Sequence, residues 1–380
     1  MNRIIQIGLD VHTTNYTICI MEPKLFNENI VHFQSTISPN IKSLLKVVSN
    51  FKDKMKDDSL DITLGYEAGC LGYSLYKSIV NAGYKCVILA PTTMSVEKGG
   101  KKLKNDMRDA RQIAKCMCDG SYRAVYIPTE EDDAVKEFIR MRDDIKQNLK
   151  SIKQQIVALL TRHGFINSDT KWTQKYINWI NSIDFGNALL KETLDEYMLE
   201  YHHLVERITC FDNRIEEIAY GAKYKDKVEK LECFIGIKTH TALSLIVETG
   251  DFSRFAKGNL YGAWLGMIPC QSASGPKDNR FGITKAGNSH LRKLLSESAQ
   301  SLSKGQVGYK SKELKRRQSK CSSEVVAYAD KANERLRRKY FKMVARGKNV
   351  NVAKMAVARE LACFIWGMMT DNIGSTANPQ

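Results

Sequence analysis

No CxxC pair, no GxGxxG and no GxxxxGK[ST] occurs in the 380 residues, so zinc-ribbon, dinucleotide and P-loop readings lose their main support. The ten cysteines are scattered, the closest pair being Cys116 and Cys118, which fits no dense disulfide framework. They are expected to serve mostly as small buried hydrophobes. A long uninterrupted apolar run is also missing. The most apolar tail, Val352 to Thr370, is broken by Lys354, Arg359 and Glu360, and its spacing predicts an amphipathic helix closing a core, not a bilayer span. Met-Asn-Arg leads straight into a strand pattern with neither an apolar signal region nor a transit-peptide pattern, so a cytoplasmic protein is expected. What is present is a folding composition: 43% hydrophobic, 26% charged and 9% aromatic residues, with mean hydropathy −0.36. That excludes general disorder, collagen-like repeats and a membrane bundle. The length suggests two or three domains.

Charge is the first functional clue. Fifty-eight Lys and Arg against 42 Asp and Glu give +16. Between Lys304 and Lys348 stand 15 basic residues and four acidic ones, so +11 of the net charge falls in this stretch. A solvated helix face usually mixes signs, and clustering of one sign favours contact with a polyanion, nucleic acid above all.

Residues 1–128 read as α/β. Strands are expected at Arg3–Asp10, Tyr16–Met21 and Val31–Ile37, then a helix from Ile41, a strand at Asp61–Tyr66, a helix at Leu71–Ala82, a strand at Cys86–Leu89 and a helix at Asp106–Cys118. The order βββαβαβα is the ribonuclease H-like (RuvC-like) arrangement. Residues 129–225 change to long helices. Ile145, Leu149, Ile152, Ile156 and Leu159 step by 4 and 3, and Tyr197, Tyr201, Leu204, Ile208, Phe211, Ile215 and Ile218 do the same. Such seams face a partner helix, either in a helical hairpin or in a dimerising coiled coil. Residues 226–380 read as a mainly α-helical unit. It opens with two short helices around a Gly turn near Gly236, a spacing that can offer backbone N–H groups to a phosphate. A Ser/Gly/Pro loop at Gln271–Pro276 follows, then a helix beginning near His290 and the basic stretch.

Asp10 ends the first strand, Glu67 ends the fourth, and Asp106 and Asp109 open a helix. Strands one and four are neighbours in a ribonuclease H-like sheet, which sets Asp10 beside Glu67. Asp106 and Asp109, three apart, share a helix face. Each like-charge pair at 4 Å costs roughly 4 kcal/mol at an effective dielectric near 20. Such a cluster needs a compensating cation, and hard oxygen ligands suit Mg²⁺ or Mn²⁺. A single acid of this kind is more often structural, and Asp106 and Asp109 are favoured by the helix dipole in any case; the weight lies in all four falling on one fold edge. Gly8-Leu9-Asp10-Val11-His12 also has the look of the first phosphate loop of actin-like ATPases. Those proteins place Gly where His12 stands, and no second Gly-rich phosphate loop occurs.

Taken in order, Gly8-Leu9-Asp10-Val11-His12, Tyr66-Glu67-Ala68-Gly69, Lys104-Asn105-Asp106-Met107-Arg108-Asp109-Ala110, Gly266-Met267-Ile268-Pro269 and Gly282-Ile283-Thr284-Lys285-Ala286-Gly287-Asn288 resemble the Asp-Glu-Asp-Asp (DEDD) transposases of the insertion-sequence 110 class. The match spans nearly the whole chain. The resemblance implies a site-specific recombinase that moves a bacterial insertion element. It would use a RuvC-like metal site of Asp10, Glu67, Asp106 and Asp109 together with a serine nucleophile. It implies, too, a noncoding bridge RNA that pairs with target and donor DNA; that partner rests on the resemblance alone. The family's loop reads Pro-x-x-x-Ser-Ser-Gly, and here it is Pro269-Cys270-Gln271-Ser272-Ala273-Ser274-Gly275. Ala273 removes one hydroxyl, leaving Ser274 as the nucleophile and Ser272 as the second candidate. Lys104, Lys277, Arg280, Lys285, Arg292, Arg316 and Arg317 are expected to hold nucleic acid, and the assembly to be a homodimer or homotetramer. Two other readings stay open: a metal-dependent junction nuclease that never uses Ser274, and a noncatalytic nucleic-acid-binding coiled-coil protein.

Overall fold

The computed structural model describes residues 3–24, 28–57, 59–94, 105–274 and 277–374, and for 271–274 and 277–281 the backbone alone. The chain divides into two compact units, Met1–Ile127 and Pro128–Gln380.

In the first unit, β1 (Arg3–Val11), β2 (Tyr16–Glu22) and β3 (Ile30–Ile37) form a meander. It is followed by α1 (Ile41–Met55), β4 (Leu60–Glu67), α2 (Ser74–Asn81), β5 (Lys85–Leu89) and α3 (Asp106–Cys118). The sheet order is β3-β2-β1-β4-β5, with β1 antiparallel to β2 and parallel to β4. This is the ribonuclease H-like order that the strand pattern predicts. Alternation in β1 sends Ile5, Ile7 and Leu9 into a core completed by Leu44 and Val48 of α1 and Ile79 of α2. Asn40 starts α1 by accepting a hydrogen bond from the Ser43 N–H at 2.8 Å.

The opposite sheet face is shaped by absence of side chains. Gly8 and Gly65 stand opposite each other on β1 and β4. A Cβ on Gly8 would sit 2.3 Å from the Ala114 amide nitrogen and 2.4 Å from the Ala110 carbonyl oxygen. A Cβ on Gly65 would sit 2.5 Å from Met117 Sδ. Helix α3 therefore lies directly on the two central strands, with Ala110 and Ala114 buried beneath it against Cys19 and Met21.

The second unit begins with α4 (Glu130–Arg162), α5 (Gln174–Asn181) and α6 (Ala188–Ala219). Phe138 stacks on Phe211 at 4.7 Å near one end, while Lys153 approaches the Tyr201 ring at 5.6 Å toward the other. The two long helices thus run antiparallel as a hairpin within one chain, so each apolar seam finds its partner in the other. Ile156, Leu160, Tyr176, Ile180, Leu194 and Met198 form the core at the tip. At the base, Val135, Ile139, Ile215 and Ala219 join the main core of this unit.

That core is built from α7 (Lys225–Glu232), α8 (Thr239–Thr249), α9 (Gly258–Trp264), α10 (Ser289–Leu302), α11 (Lys312–Gln318), α12 (Ser323–Ala345) and α13 (Val350–Met369). Helix α13 differs from its expected amphipathic character. Residues on most of its circumference are buried, and Glu360 is tolerated inside because Arg335 and Lys339 of α12 both pair with it. The predicted Ser/Gly/Pro loop is instead a two-stranded antiparallel ribbon, β6 (Pro269–Ser274) and β7 (Lys277–Ile283). All ten cysteines are free; four are buried, but Cys70, Cys210 and Cys270 are exposed, so burial accounts for fewer of them than expected. Among the described residues no helix is long and apolar enough to cross a membrane.

Candidate metal centre

Three facts about the first unit bring its acids together. Gly8, Asp10 and His12 are two apart along one strand and its end, and therefore share a sheet face. Gly65 and Glu67 share the same face of β4, and Asp10 and Glu67 each follow the last paired residues, Leu9 and Tyr66. The two glycines admit α3 to that face, and its first turn begins with Asp106 on the same helical side as Ala110 and Ala114. Asn105 caps the helix by accepting from the Met107 N–H at 3.0 Å.

One carboxylate oxygen each from Asp10 and Asp106 and one ring nitrogen of His12 lie within 4.8 Å of one another. His12 Nε2 stands 3.4 Å from Asp10 Oδ2, and that oxygen is buried with no hydrogen bond. Burial pushes the Asp10 carboxyl above its usual range; His12 opposes this, while Asp106 and Asp109 add to it. Burial likewise raises Glu67, with Asp10 and Asp109 adding to it. Asp10 thus feels Asp106 and Asp109, and Glu67 feels Asp10 and Asp109. The tight trio, however, is Asp10–His12–Asp106, with Glu67 and Asp109 more exposed beside it. A buried, unpaired carboxylate oxygen among like charges, faced by an imidazole, is a donor set that fits a divalent cation. His12 did not emerge from the sequence as a ligand; its i+2 spacing from Asp10 at a strand end was the available signal.

The other expected site residues belong to the second unit, apart from Lys104, which lies outside the described residues. Ser274 is the last residue of β6 and pairs with Lys277, while Arg280 pairs with Gln271; Gly275 lies outside the described residues. The ribbon's base is held by backbone contacts between the two flanking motifs. The Thr284 N–H donates to Ile268 O at 2.9 Å, and the Lys285 N–H to Gly266 O at 3.1 Å. Gly266 and Gly287 both adopt positive φ, and a Cβ on Gly287 would fall 1.9 Å from the Trp264 carbonyl oxygen. Lys285 is exposed, whereas the Arg292 guanidinium donates to Leu265 O at 2.9 Å. Arg316 is exposed and Arg317 donates to Ile237 O.

His290, the histidine nearest the serine ribbon in sequence, is not free to act as a base. Its Nε2 lies 2.8 Å from Asp143 of α4 and its Nδ1 3.2 Å from Glu248 of α8. Burial works to lower its pKa, yet Asp143 and Glu248 push it up to about 9. Burial works to raise Glu248, but His290 and Arg140 bring it down to about 2. Arg142 and His240 complete the network on Asp143, at 3.0 and 3.2 Å. It ties α4, α8 and α10 into one unit.

A model for transposases of the IS116/IS110/IS902 family matches residues 228–315, and a transposase model of the DEDD IS110 type matches residues 7–165. A Sinorhizobium fredii protein, y4qE, is 30% identical over 366 residues, 95% of this chain and 87% of its own length. The transposase for insertion sequence element IS1533 of Leptospira borgpetersenii is 30% identical over 347 residues, 90% of this chain and 96% of that one. Among solved structures, Thermus thermophilus RuvC aligns over 32% of this chain and 99% of its own, at 11% identity and a TM-score of 0.23. The strand order β3-β2-β1-β4-β5 is what makes the first unit ribonuclease H-like.

Proposed function

Because the chain belongs to the IS110 family of insertion-sequence transposases, we propose that it cuts and rejoins DNA with a divalent-metal carboxylate site and a serine nucleophile. The observation that carries the metal half is the convergence of Asp10, His12 and Asp106 on one sheet edge around an unpaired buried oxygen. Asp10, His12 and Asp106, with Glu67 and Asp109 beside them, would hold Mg²⁺ or Mn²⁺. When bound, such an ion polarises a phosphoryl oxygen and offsets the negative charge that builds up in transfer.

The serine half rests on the family pattern at Pro269–Gly275. Ser274 Oγ attacks a DNA phosphate; the Oγ–P bond forms as the P–O3′ bond breaks, and the serine proton ends on the departing 3′ oxygen. The free 3′-hydroxyl then attacks the phosphoserine link of a second strand end and restores the serine. Lys277, Arg280 and Lys285 sit on or beside the ribbon and suit the neighbouring phosphates. A noncoding bridge RNA that pairs with target and donor DNA completes the reading, as does an even-numbered homo-oligomer acting in the cytoplasm on the nucleoid. The test incubates the protein and the noncoding RNA flanking its element with labelled target and donor DNA in Mg²⁺. A denaturing gel should show a covalent protein–DNA species that disappears in Ser274→Ala. Cleavage without any adduct, unchanged in Ser274→Ala, would leave a metal-only nuclease in its place.

His12 gives the metal preference. An imidazole nitrogen among carboxylate oxygens favours Mn²⁺ over Mg²⁺ relative to an all-oxygen site. Calorimetry should find that His12→Ala lowers Mn²⁺ affinity roughly 10- to 100-fold and Mg²⁺ affinity far less. Electron paramagnetic resonance of bound Mn²⁺ should lose its nitrogen coupling in that variant. Equal losses for both ions would remove His12 from the ligand set.

A further inference from the structure

In the second unit, two cavities of about 450 Å³ each flank Lys238–His240 at the start of α8. The first has a one-sided charge balance: six Lys and Arg line it against only two carboxylates, Asp143 and Glu297. Asp143 is already engaged by Arg142, His240 and His290. Lys238 pairs with Glu313 at 3.3 Å. Arg317, Arg337, Lys146 and Lys293 have no carboxylate partner among the described residues.

The two arginines make that imbalance expensive. Arg337 is 6% exposed. Its guanidinium donates to the carbonyl oxygens of Gln306, Tyr309 and Lys304 at 2.7, 2.8 and 3.1 Å, but its Nε has no acceptor. The Nε of Arg317 is buried and likewise without one. Burial draws the Arg337 pKa down, with no neighbouring anion to hold it up. A buried cation with no counter-charge and an Nε left without an acceptor destabilises the site until an anion arrives.

The remaining lining narrows the kind of anion. Helix α8 starts at Thr239, and Lys238 before it gives no side-chain cap, so its first-turn N–H groups are open to an acceptor beside the cavity. Ile235, Leu294 and Leu314 supply an apolar wall that a bare anion would leave unused. Tyr309, 62% exposed, also lines the cavity, and Arg337 fixes its backbone carbonyl.

We propose that this cavity takes one nucleotide of a single-stranded nucleic acid, its phosphate on Arg317, Lys238 and the start of α8, its base against Tyr309. The proposal deepens the nucleic-acid reading above and rests on it. A base must leave a duplex to enter such a site, which points to a single strand.

The test uses the full chain in EDTA, so that no cleavage intervenes. Binding of a fluorescent single-stranded oligodeoxynucleotide of about ten nucleotides is followed by anisotropy across a salt series. Tyr309→Ala should weaken binding roughly fivefold or more, the loss of one base–aromatic stack. Lys238→Ala should lower the slope of log affinity against log salt by about 0.7, one single-strand phosphate contact. Both residues are exposed, so the fold survives these changes. Thymidine 5′-monophosphate should displace the probe at concentrations where inorganic phosphate does not. Wild-type binding and slope in both variants would overturn the proposal, and inorganic phosphate competing equally well would overturn its nucleotide half. Cleavage is read separately, in the Mg²⁺ assay with Ser274→Ala, so a failed catalytic reading leaves this binding result standing.

Discussion

Asp10→Asn should abolish strand cleavage and yet, without divalent metal at neutral pH, raise the melting temperature. The carboxylate is 18% exposed, one of its oxygens has no hydrogen bond, and Asp106 and Asp109 face it. Burial and those neighbours hold its folded pKa above the unfolded value, with only His12 opposing. A raised carboxyl pKa contributes stability that is fully present below the unfolded value near 4 and lost as pH rises through the folded value. At neutral pH the ionised group is therefore a destabilising one, and the neutral amide of similar shape removes the repulsion. Calorimetric melting in EDTA should place Asp10→Asn above wild type at pH 7, with the gap closing as pH falls toward 3. Mg²⁺ or Mn²⁺ should reverse the order. At 100 times the dissociation constant a ligand adds about 2.7 kcal/mol to the wild type, and the variant lacks a ligand for it. Cleavage should fall roughly 1,000-fold or more, since several kcal/mol of charge stabilisation are removed at about 1.4 kcal/mol per tenfold. A variant that melts lower than wild type in EDTA, or that cleaves within tenfold of it, would end the account of Asp10 as a metal ligand.

The first unit was legible in the sequence because its elements are short, strongly patterned and local. Arg3–Asp10 reads as a strand, and the structure sends its Ile5, Ile7 and Leu9 inward; the acids stood at strand and helix ends where no packing demanded them. His12 was hidden because one histidine after a strand carries no periodic signature; only the arrival of α3 gives it company. The serine ribbon was hidden for a different reason. Gln271-Ser272-Ala273-Ser274 has no apolar alternation, so its strand character comes from backbone pairing with β7 instead of from burial. In the second unit the heptad seams were readable, and Tyr201, Leu204 and Ile215 are buried as their spacing requires. The seams alone did not say whether the partner was the same chain. The ion network of Asp143, His240, Glu248 and His290 was out of reach altogether, since its members come from three helices spread over 147 residues of sequence.

Gly8→Ala should cost most of the activity by a route that touches no ligand. The new methyl carbon would lie 2.3 Å from the Ala114 nitrogen and 2.4 Å from the Ala110 oxygen. Both are helix backbone atoms, and neither can rotate away. Ordinary contact begins near 3.4 Å, so α3 must retreat by about an ångström, and Asp106 retreats with it. Misplacement on that scale costs about 100-fold in rate, and overpacking the interface costs roughly 1–3 kcal/mol of stability. Gly65→Ala is the matched control. It inserts the same methyl on the neighbouring strand, but the obstacle is Met117 Sδ at 2.5 Å, the mobile end of a side chain that can swing aside. Its activity should stay within a few-fold of wild type, and its Mn²⁺ affinity should be unchanged. Gly8→Ala should lose Mn²⁺ affinity in step with cleavage, since Asp106 no longer meets Asp10 and His12. If both variants behaved alike, the seating of α3 on bare backbone would not be what assembles the metal centre. A Gly8→Ala protein that kept wild-type affinity and rate would show that Asp106 reaches the site by some route other than the glycine contact.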